Sequence, residues 1–310
     1  MAHAEVGIIG SGSWATVLAA LLAHNQIRSR LWTRSVSRAT YINTRHYNPD
    51  YSPDLPLSDL ITATPDLAAV YATDWVIYAL PSEQYAMLDA ITQPCLIVSK
   101  GLTPTGKLLI EYSQSALTAV LSGPNLAGEL ASKLPAASVV ASANASFAAQ
   151  VQASLTTPYF RVYTAQDSIG VSIGGVYKNV LAIAAGACDA LALGHNAKAS
   201  LITRGLAELT RLVQRLGGDP QTVYGLSGIG DVMATCHAQH SRNWHYGYHR
   251  VATPDATLPH KTVEGIRSTQ ILYENHADLP VLAAVYAVLF DQKPVSDVIQ
   301  GLLNRPVGHE

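Results

Sequence analysis

The sequence predicts an α/β protein in two parts: a doubly wound parallel sheet domain at the N-terminus, then an all-helical C-terminal domain. Three observations carry this. Short, continuous apolar runs interleave with helical patterns over roughly the first half, as in parallel strands covered on both faces. A glycine-rich turn, Gly10-Ser11-Gly12-Ser13-Trp14-Ala15, joins the first run to the first helix. Later in the chain helix formers dominate, and no strand run of comparable clarity occurs. A length of 310 residues fits two domains of about 150 residues each, and the expected division is 1–165 and 166–310.

The elements follow in order. Val6-Gly7-Ile8-Ile9 stops at glycine and reads as a buried strand. Residues 14–23 continue as a helix, with Leu18, Leu21 and Leu22 at helical spacing. Arg30-Leu31-Trp32 is a second short strand, and residues 74–80 are a third, ended by Pro81. Leu96-Ile97-Val98 is a fourth, followed by Ser99-Lys100-Gly101. Ala119-Val120-Leu121 and Ser138-Val139-Val140 add two more, and Phe160-Arg161-Val162-Tyr163 closes the set. Residues 169–216 then suit a helix broken at Gly194-His195-Asn196. Gly217-Gly218 supplies a stop, and Asp219-Pro220 restarts a helix as N-cap and first-turn proline. Residues 263–276 and 279–290 are further helices.

Composition narrows the function. With 20 Lys+Arg against 22 Asp+Glu the net charge is −2, and there is no Lys/Arg block, so nucleic acid is not the expected partner. An apolar content of 48% excludes global disorder. Only 14% of residues are charged, against about 25% typically, which points to a large buried surface and leaves room for a homodimer interface. Cys95, Cys188 and Cys236 form an odd set with no CxxC, fitting a reducing, cytoplasmic setting. Residues 6–23 carry no charge, as a signal peptide or membrane span would. Yet no Lys or Arg precedes them and Gly10 to Ser13 interrupt them, so strand, glycine loop and helix is the better reading, without stable membrane insertion.

The glycine loop has the context that makes G-x-G-x-x-G/A informative. Gly10 permits the tight turn, Gly12 lets backbone N–H groups approach a pyrophosphate, and Ala15 lets helix pack on strand. The N-terminal domain is therefore Rossmann-like, and a nicotinamide dinucleotide is the expected cofactor. An NAD site expects Asp or Glu about 20 residues on, at the ribose 2′-hydroxyl. Here Thr33-Arg34-Ser35 stands there, with Arg38 one helical turn further. Arginine accommodates a 2′-phosphate, so NADP(H) is expected to be preferred, with NAD(H) as the second cofactor.

In the helical half, Gly174-Gly175 precede Val176-Tyr177-Lys178-Asn179. Glycines inside a helix cost about 1 kcal/mol each relative to alanine, so close approach of a ligand or another segment is expected there. Residues 196–208, Gly228-Ile229-Gly230-Asp231, Thr235-Cys236 and Ser241-Arg242-Asn243 follow. Together with the GSGSWAT loop, LWTR, SKGL, SGPNLAGEL and VEG, this constellation resembles the NAD(P)-dependent glycerol-3-phosphate dehydrogenases of bacterial type, in the family's order over nearly the whole length.

The resemblance implies NAD(P)H-dependent, reversible reduction of dihydroxyacetone phosphate to sn-glycerol 3-phosphate, supplying glycerophospholipid synthesis. It implies an active-site Lys178, with Lys100 and Asp231 as further catalytic residues. Substrate contacts would come from Lys100, Gly123, Asn125, Lys178, Asn179, Asp231, Ser241, Arg242 and Asn243. Cofactor contacts would come from Gly10, Gly12, Ser13, Trp14, Arg34, Lys100, Ala127, Arg242, Thr262 and Glu264. The chemistry fits these residue types. Hydride delivery to a ketone develops negative charge on its oxygen, which an ammonium stabilises and protonates. A phosphate dianion needs charge-assisted donors, which Arg242 and Asn243 supply. Asp231 could instead cap the helix that follows it. Departures from the family pattern are Asn125 for a Ser or Thr, Trp244 for an Arg, and Tyr177 beside the lysine.

Cys236, His237, His240, His245 and His249 crowd together. No carboxylate or second cysteine completes a zinc tetrad, so a histidine-rich polar loop near the substrate pocket is expected, with no metal. GxSxG, Walker and HExxH motifs are absent. The rival readings are a lysine-dependent hydroxyacid dehydrogenase of similar plan and a catalytically silent NADP(H)-binding sensor.

Overall fold

The computed structural model describes residues 5–88, 91–239, 241–253 and 263–306. Eight strands form one sheet: β1 (Glu5–Ile9), β2 (Arg28–Trp32), β3 (Ile61–Thr64), β4 (Trp75–Tyr78), β5 (Cys95–Ile97), β6 (Thr118–Ser122), β7 (Ala136–Ala141) and β8 (Phe160–Ala165). Their order is β3-β2-β1-β4-β5-β6-β7-β8. β1 lies between β2 and β4, with Val6 opposite Ser29 and Trp75. The chain therefore reverses its direction of build-up at β1, and the crevice outside the carboxyl ends of β1 and β4 is where such sheets bind ligands.

The sheet is mixed, which corrects the all-parallel expectation. β7 runs antiparallel to β6, pairing Val120 with Ala141, and β8 is parallel to β7. The connection from β6 to β7 holds a single short helix, α4 (Ala127–Ala131). It turns the chain back instead of carrying it across to the far end of the sheet, as a parallel return requires. The result places the exit of β6 beside the start of β7 on one edge of the sheet.

Helices α1 (Ser13–His24), α2 (Val36–Arg45), α3 (Leu67–Tyr71) and α5 (Ala145–Leu155) complete this half. On one face Leu18, Leu22, Leu31, Ile77, Phe147 and Phe160 close a core; on the other Ile9, Val76, Tyr78, Tyr85 and Ile97 form a second. β3 was not foreseen. Its pattern is half-buried, with Ile61 and Ala63 inward and two threonines between and after them, so it never presents a continuous apolar run.

After β8 the described regular elements are all helices, chiefly α6 (Ser168–Ala190), α7 (Gly194–Arg215), α8 (Asp231–His237), α9 (Arg242–Ala252), α10 (Glu264–His276), α11 (Pro280–Leu289) and α12 (Val295–Leu303). α6 is long and apolar enough to cross a membrane by length and composition, but 83% of its apolar window is buried inside the protein. Its apolarity is that of a core helix. The break between α6 and α7 falls at residues 191–193, earlier than expected, and Gly194 opens α7. Asp219 does accept from the Gln221 amide, but Pro220–Tyr224 forms only a 3-10 turn. Glu208, nearly fully buried on α7, accepts from the Tyr177 hydroxyl at 2.6 Å and from the amides of Val281 and Leu282 at 2.6 and 3.2 Å. This acid ties α6, α7 and the start of α11 together, and it points Tyr177 away from its neighbour Lys178.

Candidate active site

The glycine loop comes first. Gly10 has φ +125°, and a Cβ there would stand 2.5 Å from the Ala79 carbonyl oxygen, so only glycine leaves β1 this way. A Cβ on Gly12 would meet nothing within 4 Å. α1 begins without a side-chain cap and without an acid in its first turn. Its leading N–H groups are thus left for an anion, and the loop fits a dinucleotide pyrophosphate. Ser13 donates to the Tyr51 carbonyl at 3.0 Å. Trp14 is half-buried with its ring edge-on to Phe160 at 6.5 Å, and Ala127 packs at the margin of the same core. Arg34 is exposed just past β2. Ser35 caps α2, accepting from the Arg38 amide at 3.1 Å.

Across the crevice, α6 brings Lys178 to the sheet edge. Its Nζ donates to Asp231 Oδ1 at 2.6 Å and to Thr235 Oγ1 at 2.9 Å, and the residue is 7% exposed. Lys100, in the loop after β5, donates to Asp231 Oδ2 at 2.6 Å, Asn125 Oδ1 at 3.0 Å and the Gly123 carbonyl at 3.1 Å. One buried carboxylate thus holds two ammonium groups, one per oxygen. Asp231 caps nothing: α8 starts from Gly230 with no side-chain cap, and the carboxylate is taken by the lysines. Two cations and one anion leave a local balance of +1, suited to an anionic ligand.

Burial lowers Lys100 from the ordinary lysine range to about 8; Asp231 opposes the shift and Lys178 adds to it. Burial also pushes the Asp231 carboxyl up, but Lys100 and Lys178 overcome that and hold it below the usual carboxylate value.

The glycine pair explains itself here. A Cβ on Gly174 would run into the Ser227 carbonyl, and one on Gly175 would stand 2.9 Å from Ser122 Oγ and 3.2 Å from Lys100 Cγ. The close approach is by the chain's own segments, and it seats Lys100 against α6. Gly174→Ala is therefore expected to destabilise by about 1–3 kcal/mol through overpacking, not to gain the helix-propensity increment of about 1 kcal/mol. The urea midpoint measures it.

Asn179 donates to the Lys100 carbonyl at 3.2 Å and accepts from Asn243 at 2.8 Å, while Asn243 Oδ1 accepts from the Gly265 amide at 2.9 Å. Asn125 donates to Ser138 at 2.8 Å, a contact that the reversed β7 makes available. Ser241 caps α9 through the Trp244 amide at 3.4 Å. Arg242 is exposed on the first turn of α9. Trp244 donates its indole N–H to Asp189 at 2.8 Å, and Lys198 takes the same oxygen at 2.6 Å. Glu264, opening α10, accepts from the Ser82 amide at 3.0 Å and its hydroxyl at 2.6 Å. Thr262 lies outside the described residues. Ser82 has no place in the sequence reading, and Thr235 is named there only within the family pattern, with no role in the site. Thr235 stands four residues after Asp231 on α8, a spacing that could have found it; nothing links Ser82 to Glu264 before folding.

The described histidines of this cluster, His237, His245 and His249, lie on two helices, α8 and α9, and not in the expected loop. His237 Nδ1 lies 3.0 Å from the Met233 carbonyl, and His245 and His249 face each other at 3.2 Å between Nε2 atoms. Cys236 is buried, its thiol pushed up to about 12 by burial, far from the thiolate a metal takes. His240 lies outside the described residues. Among the described residues no group of three or more His, Cys, Asp or Glu side chains is arranged to hold a metal ion.

A Rossmann-like sheet with an open helix N-terminus, facing a helical domain that delivers a buried lysine–aspartate assembly, defines a nicotinamide-dependent dehydrogenase. The comparisons make this specific. Residues 5–148 match the N-terminal profile of the NAD-dependent glycerol-3-phosphate dehydrogenases, and residues 167–300 match their C-terminal profile. A glycerol-3-phosphate dehydrogenase (NAD(P)+) of Corynebacterium aurimucosum is 41% identical over 97% of this chain and 98% of its own length. The enzyme of the same name from Halorhodospira halophila is 39% identical over 97% and 96%. The crystal structure of glycerol-3-phosphate dehydrogenase from Coxiella burnetii superposes with a TM-score of 0.89 at 33% identity, covering 98% of this chain and 99% of that one. The chain belongs to the NAD-dependent glycerol-3-phosphate dehydrogenase family and is an oxidoreductase.

Proposed function

We propose that this chain reduces dihydroxyacetone phosphate to sn-glycerol 3-phosphate, reversibly, preferring NADPH to NADH and supplying glycerophospholipid synthesis. The observation that carries the reading is the Asp231 carboxylate holding Lys100 and Lys178 at the crevice, across from the glycine loop. When bound, the reduced nicotinamide supplies the hydride. Lys178 stabilises the charge developing on the ketone oxygen and gives it a proton from Nζ, and takes one back in the reverse direction. Asp231 fixes the position of that ammonium, and Lys100 adds a second positive charge. The exposed Arg242 guanidinium and the remaining Asn243 amide hydrogen meet the phosphate. Arg34 with Arg38 at the end of β2 favours a 2′-phosphate. Thr262 and Glu264 stay in the proposed cofactor set, with Gly10, Gly12, Ser13, Trp14 and Ala127. The division of labour falls at residue 165, between the sheet domain and the helical domain.

A cytoplasmic homodimer is the setting we infer. The three cysteines are free and buried, which fits a reducing compartment. α12 has no fully buried residue and leaves Leu303 71% exposed, as a face covered by a second copy would.

The test is NADPH oxidation on addition of dihydroxyacetone phosphate, beside a panel of 2-oxo acids. Arg242→Ala is expected to raise KM for the ketone phosphate by about 10- to 100-fold, the worth of a charge-assisted hydrogen bond, with kcat changed far less. A wild-type enzyme inert to the ketone phosphate but active on an oxo acid would overturn the reading.

A further inference from the structure

The sequence has no carboxylate at the end of β2, where Thr33-Arg34-Ser35 stands. The fold brings one there from another segment. Arg38, on the first turn of α2, reaches back over the end of β2: its Nη1 lies 3.3 Å from Thr33 Oγ1 and 3.3 Å from Ser11 Oγ of the glycine loop. In that position it takes Asp50, with Nε 2.7 Å and Nη2 2.6 Å from Oδ2. The Tyr51 ring lies under the guanidinium, 5.1 Å from Cζ to centroid, and the Tyr51 carbonyl accepts from Ser13. Asn48 anchors the same loop from below: fully buried, it donates to the Ser11 carbonyl at 2.9 Å and to Thr16 Oγ1 at 2.8 Å. Asp50 is thus held by the guanidinium that touches both the glycine loop and the end of β2, its side chain 53% exposed.

By the general geometry of such sheets, the adenosine ribose lies between the glycine loop and β2, its 2′-oxygen toward the end of β2. We propose that Asp50 is a coenzyme-selecting residue, supplying from a loop the ribose-gripping carboxylate that β2 lacks. It accepts from the 2′-hydroxyl of NADH. Against NADPH it repels the 2′-phosphate and occupies Arg38, the cation that phosphate needs. Asp50 therefore narrows the NADPH preference set by Arg34 and Arg38, and makes one site serve both coenzymes. The inference rests on reading the β1–α1–β2 unit as the coenzyme site.

The experiment is calorimetric titration of the full chain, wild type and Asp50→Asn, with NADH and NADPH and with AMP and adenosine 2′,5′-bisphosphate, without substrate. Asp50→Asn is expected to weaken NADH about tenfold and to tighten NADPH about threefold, moving the ratio about 30-fold toward NADPH, as loss of a partly exposed charged contact implies. The two small adenosine ligands are expected to move in the same directions, and Asp50→Glu to restore part of the wild-type ratio. Equal weakening of both coenzymes would mean that Asp50 only holds its loop, and overturns the inference. A wild type that prefers NADH overturns the NADPH preference above but leaves this inference standing, because it is read from the shift between variants. A wild type that binds neither coenzyme overturns both.

Discussion

Replacing Lys178 with alanine is expected to lower kcat for ketone reduction about 10³-fold, within the range that a positioned general acid supplies. Coenzyme affinity, measured by calorimetry on the same protein, should stay within about threefold, because the glycine loop and the end of β2 lie on the other side of the crevice. The alanine variant should also fold, since Asp231 keeps Lys100 as its partner. Lys178→Arg keeps the charge but carries a group that does not give up its proton near neutral pH, so its kcat should remain low. A variant at either substitution that retains the full rate would remove Lys178 from the chemistry.

Asp231→Asn should be the most damaging change to stability. It leaves two neighbouring buried ammonium groups without their carboxylate, and breaking buried pairs of this kind costs about 3–5 kcal/mol. A fall in urea midpoint at unchanged m-value measures it. The same substitution should move the pH profile. In the wild type, burial holds Lys100 at about 8 in the folded chain, below its ordinary 10.5. Keeping it charged therefore costs stability fully below about pH 8, and the cost fades as pH rises toward 10.5. For activity the sign is opposite: above about pH 8 the free enzyme loses a cation that attracts the phosphorylated substrate. kcat/KM should fall on an alkaline limb near that pH, since it reports groups of the free enzyme. Without Asp231 the limb should shift to lower pH, because the carboxylate that raises Lys100 is gone. An alkaline limb unmoved by Asp231→Asn would separate Lys100 from substrate attraction.

The strands that are buried on both faces were legible as apolar runs, and Gly10 marked the tight turn out of β1. The direction of β7 was not legible, because an apolar run reads the same whichever way it pairs. β3 hid behind threonines at the sheet edge. α9 hid behind histidine, tyrosine and glycine, which carry little helical periodicity of their own. In the site, Lys178 was marked by two costly glycines, whereas Asp231 was marked only by the family resemblance. The pairings of Ser82 with Glu264 and of Arg38 with Asp50 were invisible, since each depends on where a loop is folded back.

The Ser82–Glu264 contact has a thermodynamic meaning. It spans 182 positions of the chain and joins the loop after β4 to the first residue of α10, while Asp231 joins Lys100 to α8. Neither half can unfold without surrendering hydrogen bonds of the other. A ligand that needs both halves then adds its binding free energy to the folding of each by mass action. Heat should melt the two domains of the ligand-bound protein in one transition, with the catalytic crevice serving as the rivet.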